Sequence, residues 1–480
     1  MFLQDSENPS DAATLAPETI QNFSSHLQGE LITQNHPDYH ALRRVWNGMI
    51  DRHPQLIVQP ANVQDVIAAV TFARENNILV SVRGGGHSVA GLSTNNNGLV
   101  IDLVRMNRVS VEAEKKVAHV QGGAIWGQVD AATQAFGLAA PAGVVSDTGV
   151  AGLTLGGGLG WLRTKYGLSA DNLLSAEVVT ADGRLITASA SKNTDLLWAL
   201  RGGGGNFGIV TEFTFQLHPV GPEVMFVFVF HKADTMDEMK AAVRFFEEHI
   251  FKAPEEVSSI GFAGIFPPGA EAFPAELHGR HFFAIGALYA GDPQEGERVL
   301  APFRNFREPA IDFSGRMPYT EAQKMFDEDY PKYEMRYYWK SLNLTQFGED
   351  TIQRYVEHAW RQPSPYSTTD LWPIRGAVAR GSDLESSYFG RHARFLLNPE
   401  ANWITPAEDG ANIAWVRDFV EGMQEFSDGS RYLNFAGLQE EGDAMMLQAF
   451  GEHYERLQQI KRKYDPDNLF RLNQNVKPTS

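Results

Sequence analysis

Glycine is spread unevenly along this chain. Twenty-three of its 44 glycines fall between Arg83 and Gly208, about a quarter of the 480 residues. Glycine costs conformational entropy to order, and it is useful where backbone must approach something closely or adopt positive φ. One glycine-dense quarter in a chain of enzyme size points to a large ligand held mainly by main-chain atoms. A string of tight turns in a β-rich domain would give the same density. Cysteine is absent altogether, which removes disulfides, thiolate zinc sites, iron–sulfur clusters and thiol nucleophiles in one step. Any redox chemistry has to come from a bound cofactor.

At ~100–200 residues per domain, the length suggests two to four domains and a large buried core. With 43% hydrophobic and 21% charged residues the chain is ordinary for a folded protein, not a disordered or fibrous one. A formal charge of −18 opposes non-specific binding to nucleic acid or anionic membranes. Residues 1–19 carry no Lys or Arg and no long apolar stretch, so they do not read as a secretory signal. No window approaches the ~20 apolar residues of a membrane span; the most apolar candidate, 150–162, is broken repeatedly by glycine. A cytoplasmic location is the default expectation, although a chain from which a leader had been removed would read the same way.

The part before the glycine-rich region reads as α/β. Val63, Val66, Ile67 and Val70 mark one face of a helix that Asn62 would cap. Residues 78–83 read as a short buried strand ending in Arg83-Gly84-Gly85-Gly86-His87-Ser88, with further strands at 99–103 and 117–121 and a helix at 125–136. A second texture begins after His218-Pro219. Phe226, Phe228 and Phe230 fall at strand period, a helix is expected over 235–251, and strands at 258–266 and 281–289 follow one another, favouring antiparallel pairing. The change places a domain boundary near Val220. Residues 442–464 read as one long amphipathic helix, ended by Asp465-Pro466-Asp467.

Several motifs fail on context. Gly203-Gly204-Gly205-Asn206-Phe207-Gly208 satisfies G-x-G-x-x-G literally, but a dinucleotide fingerprint needs a helix after it, and residues 209–217 alternate as a strand does. His36/His40 and His278/His281 lack the carboxylates of a metal site, and there is no G-x-S-x-G elbow. His87 stands apart. It closes a triple-glycine turn directly after a buried strand, so its imidazole, a competent nucleophile when neutral, should project from rigid backbone towards whatever the turn encloses. A loop histidine bonded to a carbonyl would look the same in sequence.

Three stretches carry a resemblance. They are Val82-Arg83-Gly84-Gly85-Gly86-His87-Ser88, the run from Gly149-Val150-Ala151-Gly152 to Gly156-Gly157-Gly158-Leu159-Gly160-Trp161, and Trp198-Ala199-Leu200-Arg201 through Gly208-Ile209-Val210. Together they resemble the FAD-linked oxidases of the vanillyl-alcohol oxidase superfamily. Tyr432-Leu433-Asn434 and the segment from Tyr464-Asp465-Pro466 to Asn473-Gln474-Asn475 resemble the berberine-bridge-enzyme-like branch. The match runs from about His36 to Asn475.

The resemblance implies an α+β fold: a two-part FAD-binding domain of the vanillyl-alcohol oxidase type and an antiparallel-sheet substrate domain backed by helices. The expected division is 1–218 for the FAD-binding domain, 219–430 for the substrate domain roofing the flavin ring, and 431–480 for a closing segment that returns to the FAD domain. His87 would bond covalently to the 8α carbon of FAD. The other expected FAD positions are Arg83, Gly84, Gly85, Gly86, Ser88, Val145, Thr148, Gly149, Gly152, Leu153, Gly157, Gly158, Gly160, Val210, Asn473 and Asn475. Main-chain N–H groups of the glycine loops would hold the pyrophosphate without a Rossmann arrangement.

Two departures matter. Where many relatives carry a second, cysteinyl flavin link, this chain has Val145, so a single link is expected, as in 6-hydroxynicotine-oxidase-like members. Where plant and oligosaccharide-oxidising relatives place a catalytic tyrosine after Y-x-N, this chain has Phe435, which cannot relay a proton. Tyr432, three residues earlier, is a second catalytic candidate, although on a strand reading it faces the side opposite Phe435 and, if it points into the core, is structural. Lys340, in Tyr338-Trp339-Lys340-Ser341, is a candidate base or substrate anchor, with a solvated strand lysine as the alternative. Asp370 and Trp372, near the start of another strand, are candidates to line the same pocket, Asp370 reading more readily as a turn residue. Thr148 falls where the family places a gate on oxygen access. The function these features imply is a flavin oxidase: a small amine, alcohol or heterocycle gives hydride to the flavin, which O₂ reoxidises to H₂O₂. A dehydrogenase using another acceptor and a low-turnover flavin-binding protein are the alternatives. No metal, nucleic acid or membrane partner is expected, and sequence is silent on oligomeric state.

Overall fold

The computed structural model describes residues 15–438 and 442–479; up to residue 14, the stretch read for a secretory signal lies outside them. Among the described residues the strands form four sheets. The first runs Glu30–Thr33, Leu56–Gln59, Leu99–Asp102, Val80–Arg83 in spatial order. The last three are mutually parallel and the first pairs antiparallel. Parallel strands need a crossover, and the helix Val63–Glu75 carries the chain from Leu56–Gln59 past the place of Leu99–Asp102 to Val80–Arg83. Asn62 caps it as expected, its side chain accepting from the N–H groups of Gln64 and Asp65. Val66, Ala69, Val70 and Ala73 are buried on its inner face. Val80–Arg83 is an edge strand and feeds the triple-glycine turn.

The second sheet is antiparallel throughout, in the order Val109–Glu112, Val117–Gln121, Ile209–Gln216, Leu173–Val179, Leu185–Ser189. Its central strand starts directly after Gly208, so the G-x-G-x-x-G run opens a strand and not a helix. The helix read at 125–136 is shorter, Trp126–Gln134, with Ile125 as its N-cap. A two-stranded ribbon joins Leu138–Ala139 to His218–Pro219.

From Glu223 onward the chain builds a nine-stranded antiparallel sheet that ends with Phe395–Trp403. Alternation along Glu223–Ala233 splits its two faces. Met225, Val227 and Val229 pack under the helices Met236–Ile250, Pro293–Arg304, Glu349–Ala359 and Asp409–Gly422. Phe226, Phe228 and Phe230 join Phe262, Phe282 and Trp372 on the other face, together with Leu159 and Trp161 from the glycine-rich part. Both faces are buried, each large side chain contributing about 1.5–3 kcal/mol. The phenylalanine face therefore roofs the glycine-rich loops.

The carboxyl-terminal reading needs one correction. The helix expected over 442–464 is two, Asp443–Phe450 and Tyr454–Tyr464. They part at Gly451, whose φ of +50° breaks the helical ladder and where a Cβ would meet Phe389 Cζ at 2.6 Å. The second helix carries Lys461, fully buried against Asp465 with Nζ–Oδ2 at 2.6 Å. Lys461 also donates to the carbonyl of Asn206 at 2.8 Å and that of Phe470 at 3.2 Å, and Asp465 accepts the N–H groups of Leu469 and Phe470. This knot ties the tail to the glycine run at 202–208. Lys461→Met, which leaves the buried carboxylate without its cation, is expected to lower stability by about 3–5 kcal/mol in urea unfolding. A loss below about 1 kcal/mol would mean the pair behaves as a surface one.

Candidate functional site

Between the glycine loops and the large sheet, which contributes Ile260, Trp339, Asp370, Trp372 and Glu400, lies a cleft with about 1660 Å³ of atom-free space, its open mouth included. The turn after Val80–Arg83 forms part of its wall. Gly86 adopts φ +71°, which swings the following imidazole off the strand axis. Trp46 fixes the ring of His87 by stacking on it with centroids 4.2 Å apart, and anchors the turn through its N–H, which donates to the Gly86 carbonyl at 3.1 Å. His87 Nε2 lies 3.4 Å from Asp147 Oδ1, within ion-pair reach though off hydrogen-bond geometry.

Gly84, Gly85, Gly86, His87, Ser88, Val145, Thr148, Gly149, Gly152, Leu153, Val210 and Asn473 all line this cleft. Arg83, Gly157, Gly158, Gly160 and Asn475 are not part of its lining. Arg83 braces the turn from behind, donating to the carbonyls of Leu42 at 2.7 Å and Arg44 at 2.9 Å. Gly158 donates its N–H to the Tyr432 hydroxyl at 3.1 Å. Gly160 sits against the Ala142 carbonyl, where a Cβ would be 2.0 Å from the oxygen. Asn475 Oδ1 is buried and unpaired among the described residues.

The lining fits a flavin dinucleotide. Among the described residues, none accepts from the main-chain N–H groups of Gly85, Gly86, His87 or Ser88. Four successive main-chain N–H groups on a cleft wall with no protein acceptor suit an anionic or carbonyl-rich ligand. A Cβ on Gly152 would meet no protein atom within 4 Å; the room there is room in the cleft itself. The tail closes the far side, Asn473 donating to the Gly205 carbonyl at 3.1 Å and Asn206 to that of Gln474 at 3.0 Å.

The strand reading of Tyr432 and Phe435 is corrected. Leu433–Phe435 is a 3₁₀ turn, so both rings face the cleft and meet edge to face at 4.9 Å. The Tyr432 hydroxyl accepts from Gly158 N and, at 2.8 Å, from Asn434 Nδ2, and burial pushes its pKa up to about 12. It clamps the 156–160 loop. From the Tyr338-Trp339-Lys340-Ser341 run, Trp339 lines the cleft and Lys340 does not, because neighbours along an extended chain point to opposite sides.

Asp370, read more readily as a turn residue, instead lies inside the strand Thr368–Pro373, buried and on the cleft wall. The next strand, Phe395–Trp403, brings Glu400 to the same face: Asp370 pairs with Asn398 and Thr368 with Glu400, making the two acids diagonal neighbours. Glu400 accepts from the Tyr330 hydroxyl at 2.7 Å and from Asn398. Burial raises Asp370 to about 7; burial and the facing Asp370 raise Glu400 well above the usual carboxylate range. The two titrate as a pair that holds a proton at neutral pH. Asp370 Oδ1 and Trp372 Nε1 are buried without a hydrogen-bond partner among the described residues, an acceptor and a donor side by side on the cleft wall. Around them stand Tyr330, Trp339 and Phe435, Trp339 lying 5.6 Å from Tyr330 and 5.8 Å from Phe435.

Glu400, Tyr330, Trp46 and Asp147 escaped the sequence reading. One signal for Glu400 was available: Leu396, Asn398, Glu400 and Asn402 alternate with Leu397, Pro399, Ala401 and Trp403 in a strand buried on both faces, and buried polar side chains at period two mark a polar floor inside a core.

Residues 54–189 match the FAD binding domain family, and residues 431–477 match the berberine and berberine-like family. An FAD-linked oxidoreductase of Bacillus subtilis (strain 168) is 31% identical over 463 residues, covering 94% of this chain and 97% of the relative. This chain belongs to the berberine-bridge-enzyme-like FAD-linked oxidoreductases. The first matched segment holds the His87 turn and the loops at 149–160, and the second holds the Tyr432–Phe435 clamp and Asn473. Among solved structures of this family, 6-hydroxy-D-nicotine oxidase from Arthrobacter nicotinovorans superposes with a TM-score of 0.83 at 26% identity, covering 94% of this chain and 98% of that one. Glucooligosaccharide oxidase from Acremonium strictum shares the fold, with a TM-score of 0.84 at 23% identity over 96% of this chain and 100% of that one. The berberine-bridge-enzyme-like chain described here is thus an FAD-linked flavoprotein. Among its described residues no helix is long and apolar enough to cross a membrane.

Proposed function

We propose that this flavoprotein is an oxidase of small, ring-bearing organic substrates, with FAD linked once, through His87. The observation that carries the reading is the buried pair Asp370–Glu400 facing a cleft walled by Tyr330, Trp339, Trp372 and Phe435. Bound FAD supplies a two-electron acceptor whose reduced form O₂ can oxidise. The protein supplies the rest. The aromatic walls bury an apolar or heterocyclic substrate and exclude water. The Asp370–Glu400 pair takes the proton that an amine N–H or alcohol O–H must lose, the task that Phe435 cannot perform and that the cleft does not offer to Lys340. Near neutrality the pair titrates where a general base is most effective. Among an amine, an alcohol and a heterocycle, an amine is favoured, since a pair sharing one proton carries negative charge beside aromatic faces, both attractive to a basic nitrogen.

The single link rests on His87 at the cleft wall and on Val145 lining the cleft in a chain without cysteine. Glucooligosaccharide oxidase is described with both a 6-S-cysteinyl and an 8α-N1-histidyl FAD; only the histidyl bond has a counterpart here. The pyrophosphate would lie on the N–H groups at 85–88, and Thr148 would stand at the route by which O₂ reaches the ring. Two measurements test the reading. Acid-precipitated protein is expected to stay yellow, and a colourless pellet would remove the covalent link. After reduction by substrate the colour is expected to return rapidly in air; slow return beside fast reduction would make the protein a dehydrogenase.

A further inference from the structure

Outside the reacting pocket, a carboxylate stands beside His87. Asp147 follows Val145 and Ser146 in the loop that leads to Gly149, and it is half-buried. Its two oxygens are divided between two side chains from opposite sides of the cleft: Oδ1 lies 3.4 Å from His87 Nε2 and Oδ2 lies 3.0 Å from Lys332 Nζ. Burial alone would raise Asp147, yet the neighbouring His87 and Lys332 outweigh it and hold the carboxyl below its usual range, so it stays ionised. With Trp46 stacked on one ring face and Asp147 at Nε2, the nitrogen of His87 left to meet a ligand is Nδ1.

We propose that Asp147 is the positioning residue for flavin attachment: it holds the Nε2–H tautomer of His87, keeps the Nδ1 lone pair directed into the cleft, and takes up the proton that the imidazole must shed when the bond forms. The inference rests on the reading of His87 as the flavin ligand. The balance of the step shows why a carboxylate is needed. One N–C bond forms between Nδ1 and the 8α carbon, and one C–H bond of that carbon breaks. The imidazole loses the Nε2 proton, two electrons remain on the flavin, and O₂ removes them with two protons as H₂O₂. While the N–C bond forms, the imidazole becomes cationic, and Asp147 is the anion beside that charge. The same arrangement, in which the partner of one ring nitrogen decides what the other can do, operates wherever histidine is a nucleophile or ligand. Lys332 fixes the carboxylate from the large-sheet side, so attachment depends on both halves of the cleft being in place.

The test is a time course of flavin attachment. Protein produced without flavin is mixed with FAD in air, and acid-insoluble colour is followed against total bound flavin. For Asp147→Asn, total binding is expected to stay near that of the unaltered protein while attachment slows at least tenfold; for Asp147→Glu, which restores the carboxylate, most of the rate is expected to return, an outcome that a merely structural role would not produce. Attachment by Asp147→Asn at the unaltered rate overturns the proposal. Should that variant not fold, Lys332→Met, which frees one carboxylate oxygen, is expected to slow attachment severalfold with flavin still bound, and no change in it or in Asp147→Glu would count against the proposal. If the unaltered protein itself forms no acid-insoluble colour, it is the assignment of His87 that fails, a result distinct from the other two.

Discussion

Asp370→Asn is expected to slow reduction of the bound flavin by substrate about 10²–10⁴-fold, the usual cost of removing a general base, while leaving the flavin absorbance in place. Asp370 is 5% exposed and lies against the cleft, so the amide keeps its volume and loses only the proton-accepting charge. In the unaltered protein the reduction rate is expected to climb as pH rises through about 7, where burial has moved Asp370 and where the pair gives up its shared proton. The variant should lose that climb. Stability runs in the opposite direction. A carboxyl whose pKa is raised by folding holds a proton that the unfolded chain has already released, so its contribution to stability declines between the unfolded value near ~4 and about 7. Asp370→Asn is therefore expected to flatten the fall in melting temperature over the same interval. Stopped-flow reduction and thermal melts at several pH values check both, and an unaltered pH–rate profile in the variant would take the pair out of the chemistry.

Gly149→Val is expected to weaken flavin retention about ten- to hundredfold. The loop at 147–149 and the triple-glycine turn touch backbone to backbone: a Cβ on Gly149 would stand 2.3 Å from Gly85 N, and one on Gly85 would stand 2.5 Å from Gly149 N and Cα. No flexible side chain is there to give way, so the loops must part by a large fraction of an ångström or more. Overpacking of this kind costs about 1–3 kcal/mol, roughly a ten- to hundredfold loss in binding when it falls on the flavin-bound state. It also moves His87 away from Asp147, so that attachment should fall further than binding. Gly137, with φ +65° and no atom within 4 Å of its Cβ position, is a comparison site away from the cleft lining where Gly137→Asn is expected to keep the full flavin content. Measured flavin-to-protein ratios decide the matter; a Gly149→Val protein with one flavin per chain would show that the two loops are not bound to this spacing.

How much of this was legible in the sequence depends on how far apart the cooperating residues lie. The edge strand running into Gly84-Gly85-Gly86-His87, the Asn62 cap, the strand after Gly208 and the alternating Phe226, Phe228 and Phe230 are decided within a few residues of chain, by period, capping and the conformational range of glycine, and the folded protein follows them. The absence of cysteine sufficed to move redox chemistry onto a cofactor. Other features needed the third dimension. Tyr432 and Phe435 look opposed on a strand and converge in a 3₁₀ turn, because their turn is shaped by the loop it clamps. Asp370 became half of an acid pair only when Phe395–Trp403 was laid beside its strand in a register that sets Glu400 diagonally across; sheet registers are settled by packing between distant segments. Asp147 and Lys332, 185 residues apart, meet at His87 only because the large sheet closes over the glycine loops. Local sequence determines which backbone can hold a flavin; which acids face it is decided by the stacking of strands that the chain brings together late.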